Sequence, residues 1–68
     1  MQVICTTTMV ATHIQSILRT QGVLEIQFIG PHLDDPRVTI TIQQPLSVST
    51  EPTIRREIHG IVGTTIIG

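Results

Sequence analysis

Between Arg37 and Ile42 the chain reads Arg-Val-Thr-Ile-Thr-Ile, an unbroken alternation. It puts Val38, Ile40 and Ile42 on one side of an extended backbone and Arg37, Thr39 and Thr41 on the other. A strand of period two buries a single face, so the chain must build a sheet with one covered side and one open side. The neighbouring segment, Val23 to Ile29, alternates the same way, with Leu24, Ile26 and Phe28 inward and Glu25 and Gln27 outward. Between the two lies Gly30-Pro31-His32-Leu33-Asp34-Asp35-Pro36, whose prolines and glycine require a loop, so the strands pair antiparallel.

Elsewhere the spacing changes. Val10, Ile14, Ile17 and Leu18 fall on one helical face, with Thr6, Thr7 and Thr8 as candidate caps. Gly22 is the stop, and Arg19 stands near the negative end of the helix dipole. A second helix is expected after Pro45, capped by Ser49 or Thr50, with Pro52 in its first turn and Glu51 and Arg55 paired four residues apart. Ile54, Ile58 and Ile61 form its inner stripe, and Gly60 reads as its stop. A short strand opens the chain, where Val3 and Cys5 alternate with Gln2 and Ile4 without fixing which pair faces inward. Ile61 to Ile67, interrupted by Gly63, forms a last strand. The order is βαββαβ, and the expected fold is an α+β, ferredoxin-like sandwich of a four-stranded antiparallel sheet with two helices on one face.

Composition limits what such a sandwich can do. Residues 1–68 have the mass of a single small domain, 7.5 kDa, and twelve isoleucines with one phenylalanine make its core aliphatic. One cysteine excludes an internal disulfide. No apolar run approaches the ~18–20 residues of a membrane span, and the opening residues lack the pattern of a signal peptide, so a cytoplasmic location without membrane association is expected. Four arginines and no lysine against five acidic residues give a net charge of −1, which offers no field for nucleic acid. RNA-recognition domains share the βαββαβ order but stack bases on aromatic rings of the open face, and none is available here.

Three segments together resemble the heavy-metal-associated domain of copper chaperones and of the cytoplasmic arms of metal-pumping ATPases. They are Ile17-Leu18-Arg19-Thr20-Gln21-Gly22-Val23, the alternating Val38–Ile42, and Pro45-Leu46-Ser47-Val48-Ser49-Thr50-Glu51 followed by Ile54 and Ile58. The resemblance covers nearly the whole chain and implies the same sandwich. It also implies a soft-metal loop, Met-x-Cys-x-x-Cys, between the first strand and the first helix. Here that loop reads Cys5-Thr6-Thr7-Thr8-Met9; the two expected cysteines fall at Thr6 and Met9, or one residue later, and the usual dithiolate is missing.

Cys5, Met9 and His13 remain as a thiolate, a thioether and an imidazole spaced by four around that loop, a donor set suited to Cu(I) or Zn(II). The same residues equally suit a small core side chain, a gap filler and a solvated histidine. A helix N-terminus beside Cys5 would lower its pKa if the sulfur reached the free N–H groups. His32, Asp34 and Asp35 form an acidic turn able to attract a divalent ion or simply to build the loop. Arg55, Arg56, Glu57 and His59 read as a solvated helix end with cations placed favourably for the dipole. No catalytic constellation stands out: the three threonines and His13 have no nearby carboxylate to orient the imidazole. Two non-enzymatic roles are expected, a metal-handling module using Cys5, Met9 and His13, or a metal-free module binding a protein partner or a second copy through a sheet edge.

Overall fold

A computed structural model describes all residues, Met1 to Gly68. The elements are β1 (Gln2–Cys5), α1 (Thr8–Thr20), β2 (Ile26–Ile29), β3 (Val38–Ile42), α2 (Thr50–His59) and β4 (Thr64–Ile67). They form one sheet in the order β2-β3-β1-β4, every neighbouring pair antiparallel, which is the ferredoxin-like arrangement. Helix α1 lies over β1 and β3, and α2 over β4. No helix is long and apolar enough to cross a membrane.

Of the three candidate caps of α1, Thr7 does the work: its backbone is extended and its hydroxyl accepts the Val10 N–H at 3.2 Å. At the other end Gly22 takes a φ of +82°, which lets its N–H reach the Arg19 carbonyl and the Val23 N–H reach that of Leu18. This is a Schellman closure, and Val23 and Leu18 are both buried beside it. The closure moves the start of β2. Val23 is drawn into the core instead of opening a strand, and Leu24, expected inward, is exposed. The Leu24 and Glu25 amides are held by Gln44 Oε1, at 2.9 and 3.0 Å.

Helix α2 departs from expectation at both ends. Ser49 occupies the cap position without a side-chain cap bond, and Ser47 serves instead: its Oγ accepts the Thr50 N–H at 3.0 Å and its carbonyl accepts Glu51 N–H. Gly60 keeps a right-handed φ of −78°, while the Thr64 hydroxyl stands 2.8 Å from the Ile61 carbonyl and 3.2 Å from that of Ile58. The sharp reversal comes at Gly63, with φ +92°. The expected Glu51–Arg55 pair forms, Oε1 to Nη2 at 3.0 Å.

The core holds eleven buried residues: Val3, Cys5, Ala11, Ile14, Leu18, Val23, Val38, Ile40, Ile42, Ile54 and Ile58. None carries a polar side chain other than the Cys5 thiol, so the interior is held by apolar burial alone. In β1 the inward pair is Val3 and Cys5; in β3 it is Val38, Ile40 and Ile42, as the alternation requires. Phe28 pairs with Ile40 on the helix side yet is 41% exposed, because β2 is an edge strand beyond the cover of either helix. The register assembles two rows on the open face, Gln27-Thr41-Gln2-Ile67 and Ile29-Thr39-Ile4-Thr65, without a single charge.

Candidate functional site

Because β1 and β2 run alike and β3 and β4 run opposite, the loops after β1, after β2 and before β4 emerge at one pole. This is the pole that the sequence marks through Cys5, Met9 and His13. Cys5 ends β1 with its side chain turned inward and no exposed surface, and burial pushes its thiol above the usual 9.0. That direction is opposite to the one a helix N-terminus would impose, since the sulfur faces the core instead of the free N–H groups. Met9 is in the first turn of α1 and 83% exposed, and His13 follows one turn later, also exposed. Spacing by four therefore brings Met9 and His13 onto one solvent stripe of the helix, while Cys5 lies beneath, on the side of Ala11, Ile14 and Leu18. No three His, Cys, Asp or Glu side chains are grouped so as to hold a metal ion.

The β1–α1 loop is braced against the approach to β4. Thr6 N–H donates to the Gly63 carbonyl at 2.9 Å, and a Cβ on Gly63 would come within 2.7 Å of Thr6 Oγ1. In the segments that form this brace, Thr6, Thr7 and Met9 are exposed, as is Val62 immediately before Gly63.

The acidic turn is tied up internally. The His32 and Asp35 backbones exchange both hydrogen bonds, and the Asp35 carboxylate receives Arg37 Nε at 3.0 Å, Nη2 at 2.7 Å and the Arg37 N–H at 3.0 Å. Those bonds hold the Asp35 carboxyl down at about 2. The turn closes one end of a cleft of about 250 Å³ that reaches onto the open sheet face at Ile4, Ile29 and Thr39. His32 and Asp34 stay exposed.

A larger groove, of about 590 Å³, runs between α2 and β4 and is lined by Arg55, Arg56, His59, Thr64, Thr65 and Ile66. Arg55 is committed to Glu51 and to the Gly68 carbonyl, and Glu57 turns to Gln21 at 3.5 Å. Arg56 and His59 have neither an ion pair nor a side-chain hydrogen bond. In sequence these residues read as a wet helix end. What the sequence does not show is that an edge strand comes alongside them; the only local trace is the spacing of Arg55, Arg56 and His59 along one side of the helix.

Comparison with protein-family models, with curated proteins and with solved structures finds no match to this chain.

Proposed function

We propose that the chain is a non-enzymatic module that binds protein through the free edge of its sheet. The observation that carries this reading is the edge at β4. Thr64-Thr65-Ile66-Ile67 lies outermost, contains no charge or proline to discourage pairing, and has one side unpaired. Thr6 N–H bonded to the Gly63 carbonyl sets the phase of the β1–β4 ladder, so Thr65 and Ile67 pair with β1 while Thr64 and Ile66 turn their N–H and C=O groups outward. An extended segment adding there gains main-chain bonds along a ready template.

Soft-ion coordination by Cys5, Met9 and His13 is the second reading. It is favoured by the shared solvent stripe of Met9 and His13 beside the loop where the resemblance to heavy-metal-associated domains implies ligands. Against it stands the buried, thiol-favouring setting of Cys5, since a ligand sulfur must be both deprotonated and reachable.

Cu(I) titrated under reducing conditions separates the two. The edge-binding module keeps the amide shifts of residues 5–13 unmoved through one equivalent. A stoichiometric uptake that Cys5→Ser abolishes would overturn the proposal and assign the chain to metal handling.

A further inference from the structure

The groove beside β4 also selects the kind of segment its edge accepts. We infer that the partner is an extended peptide with acidic side chains at alternate positions, seated between the β4 edge and the Arg56–His59 side of α2; the inference rests on the edge-binding reading above.

The outward backbone groups belong to Thr64 and Ile66, whose side chains are the half-buried ones of β4 and point to the helix side. A strand laid against them places every second side chain on that same side, about 4.5–5.5 Å from Thr64 and Ile66. There it meets the Arg56 guanidinium and the His59 imidazole, which line the groove and have no ion pair. The molecule already uses this chemistry one step along the edge. Just past the end of β4, the Gly68 carbonyl is taken by the Arg55 guanidinium. An arginine of α2 thus reaches across to the backbone at the end of the edge strand.

The charges decide against a second copy of the chain as occupant. Residues 60–68 contain no acidic side chain, so a second β4 would offer Arg56 and His59 no carboxylate and would bring its own Arg56 into the neighbourhood. Like charges brought together oppose that pairing, whereas carboxylates at alternate positions gain charge-assisted bonds on top of the main-chain ladder.

The test uses the capped peptide acetyl-Val-Glu-Val-Glu-Val-amide, its Lys counterpart, and the Glu peptide N-methylated at alternate amides, each titrated into the isotopically labelled protein at low salt. Saturable binding of the Glu peptide with a Kd below about 1 mM, centred on the Thr64 and Ile66 amides, is expected, together with loss of binding on N-methylation. Arg56→Glu, a change at an exposed position, is expected to weaken the Glu peptide about tenfold and to favour the Lys peptide. Equal binding of Glu and Lys peptides by the wild type, or shifts on β2 or the open face instead, overturns the inference. Sedimentation of the same samples at two concentrations separates the levels. Self-association through Thr64 and Ile66 with no peptide bound removes the acidic partner and leaves the edge module standing. A monomer that binds no peptide and takes up Cu(I) through Cys5 removes both.

Discussion

Cys5 titrates in a range that nothing else in the side-chain set shares. The chain has no lysine and no tyrosine, and arginine stays charged well into the alkaline range, so Cys5 is the side chain that ionises on the alkaline side below arginine. Its folded pKa is raised by burial above 9.0, so the native state prefers the thiol. The stability this contributes is fully present below pH 9 and is lost as pH rises toward the folded pKa. A urea midpoint that falls as pH rises above about 9 in the wild type, more steeply than in Cys5→Ala, is the expected outcome. Gly63 makes a second residue-scale prediction. An alanine there needs a left-handed backbone and a Cβ 2.7 Å from Thr6 Oγ1, so Gly63→Ala should cost about 1–3 kcal/mol. An unchanged urea midpoint would show that the β1–α1 brace yields freely. Neither residue announces its setting in the sequence: a lone cysteine beside three threonines reads as a ligand as readily as a core atom, and Gly60 competes with Gly63 for the same turn.

At the scale of the elements, periodicity was the dependable guide and the ends were not. Val38, Ile40 and Ile42 face the core as their alternation requires, because a strand has two sides and one is covered. Leu24, expected inward, is exposed, and Phe28, on the expected helix side, is only partly covered, for different physical reasons. The Schellman closure at Gly22 and Val23 used up the residues that would have opened β2, and the edge position of β2 left Phe28 short of cover. The entry to α2 gives a direct check. Ser47→Ala removes the oxygen that holds the Thr50 N–H and should cost about 1 kcal/mol of stability, while Ser49→Ala should stay within about 0.5 kcal/mol. Equal losses in urea unfolding of the two variants would contradict the assignment of the cap. The sequence admits either serine, since the choice depends on how far the chain has turned before the helix begins.

For the whole molecule, eleven buried residues without a disulfide or a buried polar network must carry the fold. At roughly 0.05–0.15 kcal/mol per residue, total stability is about 3–10 kcal/mol, and one large cavity consumes much of it. Ile40, fully buried between β1 and β2, is therefore the decisive probe. Ile40→Ala should cost about 2–5 kcal/mol and leave a substantial unfolded fraction by circular dichroism, whereas Ile40→Val should cost about 0.5–1.5 kcal/mol and stay folded. A folded, cooperative Ile40→Ala variant would show that stability resides elsewhere. The same small size bears on the functional reading: adding a strand at β4 enlarges the sheet, so an edge partner should raise the unfolding midpoint as it binds.

Local pattern was enough for the number, type and order of the elements, and with them the sandwich, because period two and period 3.6 are imposed by the backbone at close range. It was also enough to name Cys5, Met9 and His13 as candidate donors. It could not say that the first would be sealed inside while the other two share a wet stripe, since that depends on which face of β1 the helices cover. Nor could it bring Arg56 and His59 beside Thr64 and Ile66. Contacts between a helix and an edge strand arise when the layers pack, and no spacing along a single chain encodes them.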